Sequence, residues 1–488
     1  MRPSRTVSPR SSSAPTSEVA PETLDHSRLD EIVSEFAAEH RCPTIVWAAA
    51  SGHRVLARGS FGEMSGTSPD GSTAYRIASM TKSFSAAATL SLRDDGSLAL
   101  DDRIGDLVPS LACLRAPTDD AADITVRDLL GMSSGLVTDD AWADRHLDLT
   151  DDEFDRSIRL GPVFARSTGD GFEYSNFGFA VLGRVIREVT GTSLQDLVRS
   201  RILEPLELDE TSWTLPDGRL HAPPVRSDGS TPELPTLGDG AIAPMGGLWS
   251  SVEDLLVWIR WLADAFPARN GPEDGPLRRS SRREMQQALR YSGRRTLRGI
   301  GVAASYGFGL HVLDDPIHGR VIGHSGGLPG YGSNMRWTPG GGVALVALSN
   351  RTYAPMAELN ARLHDHLADA FEIGDHGSTV DPSDEFSDLV DRLAAVLTDW
   401  SCGVEVDHSE LARVFADNVE PDESFVDRSE TLRQIGPLGF GVPDHLGRAG
   451  ATLRSVTADG TAVEAEFTVA PVRPLRVQHL DIRLGHAT

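Results

Sequence analysis

Strand-like segments fall into two groups separated by a long helical stretch, and this distribution constrains the fold more than any other feature of the chain. Residues 44–59 (TIVWAAASGHRVLARG) read as a hairpin turning at Ser51-Gly52. The second group comprises residues 306–313, 320–324, 333–338 and 343–350. A first helix over residues 24–40 precedes the hairpin. Between the groups lie a helix from Ser79 that stops near Gly96, one that follows Asn176 and stops at Gly191, and helices capped by Ser193 and Ser251. Strands at both ends of one compact region imply a single antiparallel sheet closed by the two chain ends, flanked by helices, with the helical middle inserted as a subdomain.

A second, smaller unit follows. Residues 373–382 (IGDHGSTVDP) read as a linker, and 383–488 as an α+β domain, with helices at 385–400 and 409–415 and strands at 451–455, 462–469 and 475–483. Residues 1–25 are rich in Ser, Pro and Thr and contain no apolar run, which predicts a disordered tail rather than a secretory signal. No stretch approaches the ~20 apolar residues of a membrane span. A net charge of −25 argues against nucleic acid or an anionic membrane as partner. The three cysteines (Cys42, Cys113 and Cys402) form no disulfide framework and no zinc-site spacing. The expectation is a cytoplasmic protein without metal or cofactor, acting on a small molecule, with homodimerisation open.

Chemistry enters at Lys82, the sole lysine among 46 basic residues. An arginine keeps its charge at any pH a protein survives, whereas a lysine can lose its proton and serve as a base. A chain that meets its other needs for positive charge with arginine reserves lysine for a position where arginine cannot serve. Lys82 stands three residues after Ser79, a spacing that places the two on one helical face. A hydroxyl beside a neutralisable amine is a nucleophile with its own base. The bland alternative is a capped helix start with a solvated lysine. Against it, residues 83–92 (SFSAAATLSL) are too apolar and small for a surface helix.

Two distant segments supply further groups. Tyr174-Ser175-Asn176 stands just before a helix, where a phenol can face a cleft; near an ammonium its pKa is expected to fall. Read alone, the pair is a turn tyrosine and a helix N-cap. His324-Ser325-Gly326-Gly327 lies on a predicted strand, where glycines let a ligand approach backbone amides. Ser79-x-x-Lys82, Tyr174-x-Asn176 and His324-x-Gly326, in this order, resemble the three motifs of the penicillin-recognising serine hydrolases, which include serine β-lactamases, D,D-peptidases, D-aminopeptidases and esterases. The flanking LLGMSSGL, EPLELDETSW and GGLWSSVEDLLVWIRWL agree, and the resemblance spans residues 26–372. The form of the second motif is most similar to the class C β-lactamase and esterase branch.

The resemblance implies an α/β, β-lactamase-like sandwich with an all-helical subdomain. It also implies that Ser79 is acylated, Lys82 activates it, Tyr174 shuttles a proton to the leaving group and Asn176 orients Lys82. The amides of Ser79 and Gly327 would form an oxyanion hole, with Gly326 in the same substrate and oxyanion group as Asn176, and His324 bordering the pocket. The third motif departs from the Lys-Thr-Gly of drug-inactivating members, so a fixed cation for a substrate carboxylate is missing. That favours a serine hydrolase of esters, small amides or peptides. Acyl transfer or peptide cyclisation, β-lactam or D,D-peptide chemistry, and binding without turnover remain alternatives. Residues 216–244, a long Pro/Gly-rich loop, are expected to line the acyl pocket. His364-x-His366 is weighed as a metal pair against a solvated helix face. Arg278, Arg279, Arg282 and Arg283 are weighed as an anion-steering cluster against a solvated loop. The C-terminal unit resembles a cystatin-like or nuclear-transport-factor-like fold.

Overall fold

The computed structural model describes residues 26–488, apart from 117, 216–217, 231–237, 274, 372–382, 416–428, 441–444, 447–448, 472 and 486–488. The expected tail 1–25, the linker 373–382 and part of the 216–244 loop lie outside the described residues. Among the described residues, ten strands precede the gap at 372–382: β1 (Thr44–Ser51), β2 (Arg54–Gly62), β3 (Tyr75–Arg76), β4 (Trp249–Ser250), β5 (Arg290–Leu297), β6 (Ile300–Tyr306), β7 (His311–Asp315), β8 (Gly319–Leu328), β9 (Tyr331–Trp337) and β10 (Val343–Ser349). Eight of them form one antiparallel sheet in the order β2-β1-β10-β9-β8-β7-β6-β5, while β3 pairs with β4. The N-terminal hairpin thus joins the last strand of the second group, Ile45 opposite Ser349 and Ser51 opposite Val343.

The sheet is covered on both faces, so β1 and β10 read as continuous apolar runs. Alternate residues divide cleanly. Ile45, Trp47 and Ala49 of β1 and Val343, Leu345 and Ala347 of β10 pack against the helices His26–His40 and Met356–Phe371. Val46, Ala48 and Ala50, with Ala344, Val346 and Leu348, face the main core and the inserted helices. At the centre runs the helix Thr81–Asp94, in which every residue from Thr81 to Leu92 is buried. Its small side chains let neighbours approach, and its hydroxyls find backbone carbonyl acceptors. Ser83 donates to Met80 O (2.8 Å), Ser85 to Pro244 O (2.7 Å) and Thr89 to Ser85 O (2.8 Å).

Three expectations change. Residues 306–313 are not one strand: β6 ends at Tyr306 and β7 begins at His311. Gly309 turns between them at φ +70, so close to the helix that a Cβ would lie 2.5 Å from Lys82 O. Strand β5 escaped the sequence reading because it is an arginine-rich, largely exposed edge without alternation. The basic loop is the helix Arg279–Met285, and its arginines are structural: Arg279 donates to Pro272 O (2.6 Å), Arg283 to Ala265 O (2.7 Å) and Arg278 to Asp94 O (3.3 Å). Arg282, 2% exposed, donates to Trp261 O and stacks over the Trp261 ring.

Beyond the gap, the helices Asp384–Ser401 and His408–Val414 accompany a four-stranded antiparallel sheet of β11 (His445–Leu446), β12 (Gly450–Val456), β13 (Ala462–Val469) and β14 (Val477–Gly485). Phe386, Leu393, Trp400, Leu453, Val463 and Phe467 belong to a core of their own, sharing no residue with the two cores of the larger sheet. Among the described residues, no helix is long and apolar enough to cross a membrane.

Candidate active site

Ser79 sits in the 3-10 turn Ala78–Met80 that opens the buried helix. Ala78 is held at φ +49, a left-handed conformation costly for a residue with a side chain. The turn is pinned by β8 and β9. Ser333 donates to Ile77 O (2.8 Å), and a Cβ on Gly326 would lie 2.2 Å from that same carbonyl. Gly326 is therefore required by the close approach of the Ile77 backbone, a different reason from the ligand approach its motif suggested.

Lys82, one turn on and fully buried, donates to Ser79 Oγ (3.0 Å), Asn176 Oδ1 (2.6 Å) and Met245 O (2.8 Å). Burial lowers its pKa from 10.5 to about 8, while Asp140, Asp144 and Asp139 pull it back up. Asn176 is the first residue of the helix Asn176–Thr190; the cap itself is Ser175, whose hydroxyl accepts from Gly178 N. Asn176 Nδ2 donates to Asp140 Oδ1 (2.7 Å), and the amides of Asn176 and Phe177 donate to the Asp139 carboxylate (2.7 and 2.9 Å). The Asn176 amide is thereby fixed with its oxygen toward the lysine.

The Tyr174 ring lies 4.9 Å from Lys82 Nζ. Its pKa is raised well above 10, contrary to the sequence expectation: burial dominates, Tyr306 adds to it, and a hydrogen bond with Ser79 only partly offsets both. Tyr174 therefore keeps its phenolic proton near neutrality. His324 is 3% exposed, its ring 6.2 Å from that of Tyr174, with Nε2 3.1 Å from Tyr306 OH and Nδ1 2.6 Å from Ser325 O. Burial, then His311 and Lys82, hold it well below its ordinary pKa, so the third motif carries no positive charge. Gly327 abuts Tyr353, where a Cβ would meet the ring at 2.6 Å.

These groups open on a cavity of about 600 Å³ bordered by Ser79, Tyr174, His324, Ser325, Gly326 and Gly327. All three motifs are thus brought together; Lys82 and Asn176 lie behind its wall. Sequence reasoning missed the rest of the lining: Asp140, Ala141, Asp144, Arg145, Phe172, Arg295, His311 and Tyr353. Asp144 accepts from Tyr353 OH (2.9 Å), and burial pushes its pKa up to about 7, with Asp140 adding to the effect. No local motif marks these positions; adjacent Asp139 and Asp140 look like surface acids in the sequence.

The loop expectation is overturned for its described part. No residue of 218–230 or 238–244 borders this cavity. Instead Ala222 O accepts from Tyr331 OH (2.9 Å) and Pro223 O from Asn350 Nδ2 (2.8 Å), tying the loop to the sheet. A larger cavity, about 980 Å³, is lined in part by residues 238–241 and contains none of the motif residues. His364 is 1% exposed and packs on His318, so the solvated-face reading fails for it. Burial, reinforced by Arg336, depresses its pKa to about 2. Among the described residues, the group with metal-ligand spacing is Glu39, His40 and Glu358, which includes neither His364 nor His366.

A profile of the family described as Beta-lactamase matches residues 29–369. The chain is 27% identical over 308 residues to "Protein flp" of Staphylococcus aureus (strain N315), covering 60% of this chain and 57% of that protein. It is 28% identical over 339 residues to "Penicillin-binding protein 4" of Amycolatopsis lactamdurans, covering 67% and 86%. The chain thus spans little more than half the length of the staphylococcal relative. Among solved structures, it is similar in fold to a D-stereospecific amidohydrolase from Streptomyces sp. (TM-score 0.55, 24% identity, 70% of this chain and 98% of that one). It is likewise similar to an octameric penicillin-binding protein homologue from Pyrococcus abyssi (TM-score 0.59, 19% identity, 94% and 100%). The sheet with its flanking helices and the profile match over most of the chain agree: this protein belongs to the beta-lactamase family of serine hydrolases.

Proposed function

We propose that the protein hydrolyses small esters or amides through an acyl-enzyme on Ser79. One observation carries the reading: the only lysine in the chain is buried, donates to Ser79 Oγ at 3.0 Å and has its pKa lowered to about 8. The neutral amine of Lys82 takes the Ser79 proton as Oγ bonds to the substrate carbonyl carbon. The resulting oxyanion would be met by the amides of Ser79 and Gly327, one such donor being worth ~3 kcal/mol of barrier. Tyr174, still protonated, gives its proton to the departing group and recovers one from Lys82. Water, activated by the same pair, then releases the acid. Residues 383–488 are proposed as a separate domain, and self-association, as in the octameric archaeal structural neighbour, is testable by light scattering.

Within this reading, a small ester or amide is favoured over a penicillin. His324 is uncharged, and Asp140 and Asp144 share the cavity border with Arg145 and Arg295, so the lining carries both signs. The structural likeness to an amidohydrolase points the same way. A fluorophosphonate probe should label the folded protein and fail on Ser79→Ala; no labelling would end the nucleophile assignment. Turnover of p-nitrophenyl acetate, D-alanine p-nitroanilide and nitrocefin by one preparation then ranks the substrates, and nitrocefin leading in kcat/KM would restore the β-lactamase alternative.

A further inference from the structure

On β9, successive side chains point to opposite faces of the sheet. Ser333, Met335 and Trp337 face the Ser79 turn and the main core. Asn334 faces the helix Met356–Phe371, bonding to Asn360, and Arg336 shares that outer face. Here a second cavity of about 490 Å³ is bordered by Arg336, Arg295, Arg298, Ser325, Asn334 and Glu358.

Arg336 is 8% exposed, yet its Nε has no hydrogen-bond partner among the described residues. The neighbouring carboxylates Asp365 and Asp315 attract Arg336 across space but make their close pairs elsewhere. Asp315 and Asp365 both pair with Arg298, Asp365 also meets His318 Nε2 (2.8 Å), and Glu358 pairs with Arg362. Asp315 Oδ2, Asn360 Oδ1 and His364 Nδ1 are likewise buried without partners. A guanidinium cannot shed its proton to relieve burial, so a buried one without an acceptor is costly unless a ligand supplies the acceptor.

We infer that this outer-face cavity binds a small carboxylate, held by the Arg336 guanidinium. The planar fork of arginine suits a carboxylate, taken by two parallel N–H donors. A single negative charge fits best, because Arg298 is already neutralised and Glu358 at the border would repel a dianion such as phosphate. Arg295, His311, His324 and Ser325 border both this cavity and the one at Ser79, so the two adjoin. The carboxylate arrives either as the tail of a substrate engaged at Ser79 or as a separate small acid.

The binding arm uses the full chain carrying Ser79→Ala, so that it does not depend on the hydrolase reading. Millimolar butyrate should raise the melting temperature saturably, as any ligand selective for the folded state does, and phosphate should raise it less. Arg336→Gln should abolish the rise, while Arg336→Lys, which keeps the charge, should retain a weakened one. No saturable rise in the parent, an equal rise in Arg336→Gln, or a phosphate response exceeding butyrate would each overturn the site. The kinetic arm, with Ser79 restored, compares p-nitrophenyl hydrogen glutarate with p-nitrophenyl acetate. A KM raised about tenfold by Arg336→Gln for the glutarate ester alone identifies the substrate's own tail; unchanged KM values with butyrate binding intact identify a separate acid.

Discussion

Two cations are buried on opposite faces of the same sheet, and they are treated in opposite ways. Lys82 is fully buried among three acceptors, one of them the Ser79 hydroxyl. Arg336 is almost as buried, and its Nε finds no acceptor among the described residues. The difference lies in what each can surrender. Desolvation turns a lysine into a base near neutral pH, because the amine escapes burial by losing its proton. The same desolvation leaves a guanidinium charged. One face of the sheet therefore carries a group for moving protons, the other a fixed charge suited to holding an anion.

The sharpest way to break this contrast is to exchange the cations. Lys82→Arg keeps the charge and loses the basicity, so ester turnover should fall by about 10³ or more while the thermal melt still shows a folded protein. Retention of more than about a tenth of the rate would remove Lys82 as base. Next comes pH. With Lys82 titrating at about 8, its neutral fraction falls roughly tenfold per unit below that value. The kcat/KM for p-nitrophenyl acetate should therefore rise from about pH 6 and level off above about pH 8; a flat profile would contradict the assignment.

Asp144 sharpens the comparison from the acidic side. Its folded pKa is raised to about 7, above the ~3.9 of an unfolded chain. The proton it holds in the native state thus contributes stability that is full below the unfolded value and lost as pH rises through about 7. Asp144→Asn should raise the melting temperature relative to the parent more at about pH 8 than at about pH 4, a gain on the order of 4 kcal/mol. An equal effect at both pH values would show that the carboxyl is not held protonated. The smallest expected effect belongs to His324→Lys. Restoring a cation at the third motif should shift acylation toward nitrocefin relative to p-nitrophenyl butyrate by up to about tenfold; an unchanged ratio would assign specificity to the rest of the lining instead.

Much of the fold was legible because burial leaves a periodic trace. The apolar runs of β1 and β10, the Ser251 and Ser193 caps, and the small residues after Lys82 each signalled their element. The β5 edge left no such trace, since its arginines face solvent and only pairing with β6 makes it a strand. The helix Arg279–Met285 was hidden for a related reason: four arginines read as solvated until the tertiary structure supplies backbone carbonyls for them. Within the site, the motif residues were visible through their spacing. Asp140, Asp144 and Tyr353 were not, because their partners stand far away in the chain, Asp144 and Tyr353 meeting across 209 positions. The rise in the Tyr174 pKa also had to await the structure, because sequence reasoning weighed the ammonium and could not weigh burial.

The isolation of Lys82 has a practical side. With its single lysine 0% exposed, the folded surface offers an amine-acylating reagent no side chain to modify, only the terminal amine. In Ser79→Ala, which lacks the hydroxyl that could itself be acylated, an acyl group located on Lys82 by peptide mass spectrometry therefore reports that the core has opened, and the fraction of molecules carrying it measures how many have opened.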